Sequence, residues 1–258
     1  MEKFKSFLNA DDFGISESAS NDIVYLIKNG KINSVSVMVN QFEFDPNLIL
    51  NEDVKIKLHL NLTTQFKSNF INGDNKYHDK SFFRLLFTFN KDKRRKIIEE
   101  IDSQIRKFKI LFNKDKIAVD GHHHIQMVPW IYNYLSNSNH NIVELRNSCE
   151  NYLSINFFTI YKFKVIRNLI ALSLLKFLRL FHVNKNENHL NYCGMIYSGI
   201  YTKKILDYQK KYLNKKNHDY EVALHPGCVK PSEADLFNRR DKGFLISNKR
   251  KIEFKACL

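Results

Sequence analysis

The segment Phe4-Lys5-Ser6-Phe7-Leu8-Asn9-Ala10-Asp11-Asp12-Phe13-Gly14 lies near the start of the 258-residue chain. Residues 4–8 are typical of a strand, and two adjacent carboxylates follow directly, before a glycine. A strand fixes ionisable side chains at its end, and the loop that follows leaves them open to ligands. Adjacent aspartates can also point in different directions, which suits one to metal binding and the other to proton transfer. Such pairs are also common in ordinary turns. Further ionisable residues at other strand ends are therefore needed to support a functional site here.

Short apolar segments alternate with longer amphipathic ones along the chain. Hydrophobic periodicity and end signals predict strands at residues 4–8, 34–39, 54–62, 117–120, 142–145 and 221–224, and helices at residues 16–28, 91–112, 130–134 and 202–213. Strands that alternate with helices are typical of a parallel α/β sheet. No internal repeat and no Pro- or Ser-rich linker interrupts the pattern, so we expect a single domain over residues 1–258.

Histidines lie at the ends of three later strands. His59 ends the strand at 54–62, the run 120–124 (Asp-Gly-His-His-His) follows the strand at 117–120, and His225 precedes Pro226 and Gly227. In an extended segment His122 and His124 face one side, and two imidazoles beside an aspartate suit a metal or acid–base cluster. Each histidine also has a structural alternative, a half-buried strand residue or a capped strand exit. Three of the eight glycines and two of the four prolines lie beside these groups, which favours the functional interpretation.

The chain carries 41 Lys and Arg against 27 Asp and Glu, a formal net charge of +14. A large positive excess invites a nucleic-acid partner. The excess is spread along the sequence, however, and the densest cluster, residues 91–96, begins an amphipathic helix and contains no aromatic side chain for base stacking. We therefore expect no nucleic-acid partner, although a basic nucleic-acid-binding protein without enzymatic activity stays open as an alternative. Four cysteines without close spacing exclude a zinc ribbon or a CxxC redox motif.

Residues 157–183 form a segment that is both strongly apolar and basic. Only eight residues separate Arg167 from Lys176, far fewer than the roughly 20 that span a bilayer. The segment is either a helix packed on the sheet with its lysines directed outward, which we favour, or a helix on an anionic membrane surface. With no apolar leader visible, we expect a cytoplasmic protein, with peripheral contact at the inner face of the membrane left open. A homo-oligomer is also left open.

Taken in order, four motifs resemble those of the YdjC-like family, the ChbG/HpnK-type carbohydrate deacetylases. They are Asn9-Ala10-Asp11-Asp12-Phe13-Gly14, residues 58–63 (Leu-His-Leu-Asn-Leu-Thr), residues 120–129 (Asp-Gly-His-His-His-Ile-Gln-Met-Val-Pro) and Leu224-His225-Pro226-Gly227. The resemblance implies a distorted (β/α) barrel, TIM-barrel-like, of the polysaccharide-deacetylase or glycoside hydrolase–deacetylase type. It implies a site at the carboxyl ends of the strands.

The resemblance also implies an activity: metal-dependent hydrolysis of the N-acetyl group of an acetylated amino sugar, with release of acetate. The substrate would be an oligosaccharide or a lipid-linked or cell-surface glycan precursor. The implied roles are metal ligands Asp12, His59 and His122, general base Asp11, general acid His225, and substrate contacts His124 and Arg146. The family favours Mg²⁺, while two histidines among the ligands make Zn²⁺ chemically attractive.

A set of two histidines and one carboxylate is also the signature of non-haem Fe(II) oxygenases. Those enzymes usually place the histidine and the carboxylate close together in sequence on a β-sandwich. Here the carboxylate precedes both histidines and the predicted fold is α/β, which favours the hydrolase. The oxygenase stays an alternative at this point.

Overall fold

A computed structural model describes residues 5–64, 81–156, 159, 162–183, 190–216, 218–234, 237 and 239–258. The strands are β1 (Ser6–Phe13), β2 (Ser34–Val37), β3 (Lys55–Leu60), β4 (Ile117–Gly121), β5 (Ile142–Leu145), β6 (Asn191–Cys193) and β7 (Tyr220–Leu224). They form one seven-stranded sheet in the order β5-β4-β3-β2-β1-β7-β6. Every pair of neighbours is parallel. The predicted parallel α/β architecture is confirmed.

Helices connect the strands and cover the outside of the sheet. They are α1 (Glu17–Lys28), α2 (Asn47–Leu50), α3 (Phe82–Leu86), α4 (Lys91–Phe112), α5 (Pro129–Asn137), α6 (Phe163–Arg179), α7 (Lys203–Asn214), α8 (Pro231–Ala234), α9 (Arg239–Leu245) and α10 (Asn248–Cys257). Ser16 caps α1 by accepting from the Ala19 amide, and Pro129 occupies the first turn of α5, where a missing N–H costs nothing. In the described part of the chain, no helix is long and apolar enough to cross a membrane.

The sheet curls into an open, distorted barrel. Arg146, directly after β5, forms an ion pair of 2.5 Å with Glu221 in β7 and lies 5.5 Å from the centre of the Tyr192 ring in β6. Because β5 and β6 are the opposite edges of the sheet, contacts between their side chains require strong curvature. The predicted distorted (β/α) barrel is confirmed.

Side chains alternate between a charged barrel interior and an apolar outer face. In β3, Lys57 and His59 face inward, whereas Ile56, Leu58 and Leu60 join the core beneath the helices. Lys57 is 1% exposed and lies 2.5 Å from Glu221 and 3.2 Å from Asp120. The helices contribute the opposite side of the core, for example Ile97, Ile101, Ile105 and Phe108 of α4. The hydrophobic core therefore lies outside the barrel, and the polar interior leads to the strand ends.

Three local expectations differ from the structure. The first strand extends through both aspartates to Phe13, with an irregularity in its pairing to β2 after Ala10. His123 and His124 have φ values of 53° and 57°, so residues 122–127 form a tight turn, not an extended segment. The sequence also gave no signal for β6 or for the helices after Gly227.

The basic cluster at residues 91–96 begins α4, as predicted. Arg95 is largely exposed and lies 3.9 Å from both Asp92 and Glu99 on the same helix. These are solvated pairs one helical turn apart. The cluster therefore has the features of an ordinary charged helix start.

Lys57→Met tests the buried charge network. The substitution leaves Asp120 and Glu221 with one cation fewer in a dry environment, and we expect it to lower the free energy of unfolding by about 3–5 kcal/mol. Lys55 provides a matched control on the same strand, because it also pairs with a carboxylate, Glu144, but is 26% exposed. Lys55→Met should cost about 0–1 kcal/mol. Urea unfolding measures both, and equal losses would contradict a buried network.

Candidate active site

The strand irregularity at the end of β1 brings two adjacent carboxylates to the same site. In a regular strand Asp11 and Asp12 would point to opposite faces. Asp12 instead has a φ of 71°, a conformation that is strained for any residue with a side chain and that redirects its carboxylate. Gly14, with a φ of 82°, completes the turn, because a Cβ there would lie 2.4 Å from the Met38 carbonyl oxygen. The left-handed conformations of Asp12 and Gly14 therefore determine where the two carboxylates lie.

The three predicted metal ligands come together. Asp12, His59 and His122 are each 7% exposed or less, and they offer ligand atoms that all lie within 4.8 Å of one another. The Asp12 Oδ1 atom lies 2.9 Å from His122 Nδ1 and 3.3 Å from His59 Nε2. This buried Asp/His cluster can hold a divalent metal ion.

The orientation of His59 supports a metal more specifically than proximity does. Its Nδ1 lies 2.6 Å from Asp120 Oδ1, and its Nε2, buried and without a hydrogen-bond partner, faces Asp12. Histidines that ligate metals usually donate their other ring N–H to a carboxylate, which fixes the tautomer and the ring. Asp120 is in turn held by Ser36 Oγ at 2.6 Å and by Arg146 at 2.7 Å. The donor set and its supports fit a divalent cation.

A second group of possible ligands, Asp11, His59 and Asp120, shares the same histidine. Both carboxylates in that group are ion-paired with Arg146. Arg146 engages both oxygens of Asp11, whereas Arg250 engages only Oδ2 of Asp12 and leaves Oδ1 facing His59 and His122. The cluster of Asp12, His59 and His122 is therefore the better metal site.

Electrostatics distinguish the charged groups of the cluster. Burial lowers the pKa of His59, but Asp120, Asp11 and Asp12 outweigh it and raise that pKa to about 10. Burial raises the pKa of Asp12, but His122 and Arg250 hold it well below its usual range. The negative charge that favours a proton on His59 would also favour a metal cation at this position.

Asp11 is held by Arg146. The guanidinium donates to both carboxylate oxygens at 2.9 Å, and Asn9 Nδ2 donates to Oδ1 at 2.6 Å. Burial raises the pKa of Asp11, but Arg146 and His59 lower it overall, so the carboxylate is ionised at neutral pH. Arg146 itself is 5% exposed and contacts Asp11 without being among the residues that line the cavity. Its contacts suit the positioning of Asp11, and its predicted role as a substrate contact stays a prediction.

A cavity of about 410 Å³ opens beside two residues of this cluster, His59 and His122. Five of the residues singled out by sequence line it: Asp11, His59, His122, His124 and His225. A volume in this range is typical of small-molecule sites. The strand ends therefore meet at one cavity, as the motif order predicts.

His124 and His225 occupy different electrostatic environments at this cavity. His124 Nδ1 lies 3.0 Å from Ser148 Oγ, and burial together with the charge of Arg146 lowers its pKa to about 3, so the ring is neutral. Burial also lowers the pKa of His225, but the Glu253 carboxylate 3.6 Å away and the charges of Asp12 and Asp11 raise it overall. His124 is thus suited to neutral hydrogen bonding and His225 to carrying a proton.

Two residues of α10 complete the site and were missed from sequence. Arg250, fully buried, donates to Asp12 Oδ2 at 2.8 Å and to the Gly227 carbonyl. Glu253, also fully buried, accepts from the backbone amides of His225 at 2.6 Å and Gly199 at 2.5 Å. In sequence they belong to a charged run that suggests a solvated helix. The available signal was their spacing of three residues, which places both on one helix face.

Comparisons with known proteins agree with this fold and identify the family. A crystal structure from Enterococcus faecalis V583, of a protein provisionally named for cellobiose-phosphate cleavage, matches with a TM-score of 0.58. The match has 16% sequence identity and covers 99% of this chain and 95% of that chain, so it shows a shared fold. The model of the family described as YdjC-like protein matches residues 6–258. The chain belongs to the YdjC-like family of carbohydrate-modifying proteins.

Proposed function

We propose that this protein removes the acetyl group from an N-acetylated amino sugar, using a divalent metal held by Asp12, His59 and His122. The observation that carries the proposal is one cavity lined by Asp11, His59, His122 and His225, with Asp12 in contact with the two histidines that are candidate metal ligands. Membership of a carbohydrate-modifying family supports a sugar as the substrate. The name of the structural neighbour, which concerns a phosphorylated disaccharide, points the same way.

The protein residues divide the proton transfers of an amide hydrolysis between them. When bound, a divalent ion polarises the acetamide carbonyl and lowers the pKa of water, which makes attack feasible near neutral pH. Asp11 accepts the proton that the attacking water loses, and Arg146 holds the carboxylate in place. His225 donates a proton to the amine nitrogen as the carbon–nitrogen bond breaks. The products are acetate and the free amino sugar.

The remaining residues bind the substrate or orient the catalytic groups. We assign His124 a hydrogen bond to the sugar or to its acetamide group, because its ring is neutral and lines the cavity. Arg146 is a positioning residue for Asp11 in this scheme. The donor set of two nitrogens and one oxygen suits Zn²⁺, and Mg²⁺ is the ion implied by the family resemblance; reconstitution with each metal decides between them.

Neither alternative function gains support from the structure. An Fe(II) oxygenase with this ligand set would be expected on a β-sandwich, and the sheet here is parallel throughout its described strands. The nucleic-acid alternative depended on residues 91–96. Those residues form solvated ion pairs at a helix start.

We also propose that α6 contacts an anionic membrane surface. Its outer face and the residues just after it expose large apolar side chains, namely Phe163, Ile166, Ile170, Phe177, Leu180 and Phe181. Two exposed basic residues border this face, Lys162 at the start of the helix and Arg167 beside Ile166 and Ile170. Apolar side chains bordered by Lys and Arg are the pattern of helices that lie in a membrane interface. Charge complementarity therefore favours anionic lipid as the partner.

The metal and base assignments are tested by separate variants. His59→Ala should lose the bound ion, because it removes one of the three ligands and the link to Asp120. Asp11→Asn should keep the ion and lose roughly 10²–10⁴-fold in acetate release, the usual worth of a general base. His123→Ala, a neighbour outside the ligand cluster, should retain the metal. Elemental analysis and acetate assays measure these outcomes; near-normal turnover of Asp11→Asn would contradict the base assignment.

Glu253 should set the alkaline limit of activity through His225. His225 must be protonated to act as the acid, and Glu253, Asp11 and Asp12 raise its pKa while His124 stays neutral. Glu253→Gln removes the nearest of these carboxylates. The alkaline limb of the kcat/KM pH profile should therefore move to lower pH, whereas Glu253→Asp, which keeps the charge, should restore it. An unshifted limb in Glu253→Gln would contradict this role.

Vesicle binding tests the proposed membrane contact. The protein should sediment with vesicles that contain phosphatidylglycerol, less with phosphatidylcholine alone, and less as salt rises. Ile170→Asp places a charge on the exposed face of α6 and should weaken binding by about tenfold. Ile110→Asp is the matched control, because Ile110 is 81% exposed on a different helix. Equal effects of the two variants, or binding that ignores lipid charge, would contradict contact through α6.

A further inference from the structure

A second cavity lies at the seam of the open barrel. Strands β5 and β6 are the two edges of the described sheet and are not paired with each other, which leaves a gap on this side. A cavity of about 900 Å³, lined by residues of α6, β6 and α7, opens there, and we call it the seam cavity. Its volume is within the range of small-molecule sites. Among the described residues, it shares no lining residue with the active-site cavity.

The seam cavity is positively charged. Three cations line it, Lys176 and Arg179 of α6 and Lys216 just after α7, and no described residue of its lining is acidic. In the described part of the chain, none of the three forms an ion pair with a carboxylate. The two lysine ammonium groups lie 3.6 Å from the centre of the Tyr152 ring and 5.4 Å from that of the Tyr212 ring. Aromatic faces hold a cation in place without neutralising its charge.

Two of these cations lie close to one thiol of the lining, Cys149. Burial raises the pKa of that thiol to about 11, and the charges of Arg179 and Lys176 act on it in the opposite direction. The buried hydroxyl oxygen of Tyr212, another lining residue, has no hydrogen-bond partner within the described residues. Like charges at a half-buried wall repel one another, and an anion between them would relieve the repulsion.

One wall of the seam cavity is the segment that follows β5. Asn147, Cys149 and Asn151 of this segment line the cavity. The side-chain oxygens of the two asparagines accept from the backbone amides of Cys149 and Leu153, so their NH2 groups remain to donate. Arg binds the oxygens of an anion through its planar fork and Lys as a point charge. The lining therefore suits a molecule with several anionic oxygens.

The same segment supports the active site through its alternate residues. Arg146 holds Asp11, and Ser148 Oγ lies 3.0 Å from His124 Nδ1. Arg146 and Ser148 are 5% exposed or less, whereas Cys149 on the seam side is half-buried. Because residues that serve the two cavities alternate along one short stretch of backbone, a contact at the seam cavity would also restrict the residues that face the active site.

We infer that the seam cavity is a second binding site, for a small molecule that carries clustered anionic oxygens, and that its occupant stabilises residues 146–151. Two sources provide this shared chemistry: a phosphate ester or a polycarboxylate. The inference does not rest on the proposed function, since neither binding at the seam cavity nor the order of this segment requires the release of acetate.

Alkylation of Cys149 measures occupancy of the seam cavity. The probes are inorganic phosphate and tricarballylate, added to the metal-loaded protein at constant ionic strength, and mass spectrometry follows the incorporation of N-ethylmaleimide at each cysteine. At about ten times the dissociation constant of the probe, labelling of Cys149 should slow about tenfold, because only the unoccupied fraction reacts. Cys228 is the internal control, a half-buried thiol outside the seam cavity whose pKa is also raised to about 11. The probe that protects Cys149 identifies the source of the anionic oxygens.

Asn151→Asp distinguishes a defined site from general charge screening. The aspartate keeps an oxygen for the Leu153 amide but adds a carboxylate among the cations, so neither probe should protect Cys149 in this variant. Asn90→Asp is the matched control, because Asn90 is also exposed and accepts from a backbone amide, that of Lys93, away from the cavity. Its Cys149 should be protected as in the wild type.

Hydrogen exchange tests the link to the active site. The amides of residues 146–151 should exchange more slowly with the bound probe in the wild type and in Asn90→Asp. Labelling of Cys149 that neither probe changes at about 10 mM, where even a millimolar affinity is visible, would overturn the site. Equal protection in Asn151→Asp would overturn it as well. Protection of Cys149 without slower exchange would overturn the stabilisation of this segment.

Discussion

The contacts of Arg146 are the constraint on which the rest of the structure depends. Its guanidinium lies between carboxylates from three strands: Asp11 of β1, Asp120 of β4 and Glu221 of β7. Arg146 follows β5, at one edge of the sheet, so these pairs hold the curled sheet in its barrel shape. The same pairs orient Asp11 towards the cavity and Asp120 towards His59. One buried cation therefore links the curvature of the barrel to the geometry of the active site.

The charge balance of the barrel interior explains how a metal fits. The described interior and the α10 residues beside it bury five carboxylates, Asp11, Asp12, Asp120, Glu221 and Glu253, against the three buried cations Lys57, Arg146 and Arg250. The pKa of His59 is raised to about 10, so a proton on that ring offsets part of the excess negative charge. A divalent ion at Asp12 would replace that proton. Burying an unpaired charge costs free energy. The excess of buried carboxylates over buried cations therefore favours the binding of an added cation.

The sequence was most informative where function constrains single residues at strand ends. Asp12, His59 and His122 could be singled out because each lies at the end of a strand whose hydrophobic pattern is clear, and their predicted role as metal ligands came from the family resemblance. Contacts made across the barrel could not be predicted. The local sequence around Arg146 does not show whether its side chain pairs with Asp11 or contacts a substrate. Arg250 and Glu253 were missed for a related reason: a charged run is usually solvated, and only tertiary packing buries this one. The left-handed conformation of Asp12 likewise has no local signal.

Helix α6 connects the unusual composition of the chain to its site. One face packs into the core through residues such as Val165 and Leu172, and Asn168 anchors the neighbouring loop by donating to the carbonyls of Ile196 and Ser198. A second face brings cations to the cavity, and a third exposes apolar side chains. A helix with these three faces needs both basic and apolar residues. This explains why the composition of α6 differs from that of a core helix and from that of a solvated helix. The net charge of +14 is spread along the chain, and Lys164 and Arg167 of this helix place part of it at the wall of the candidate active-site cavity.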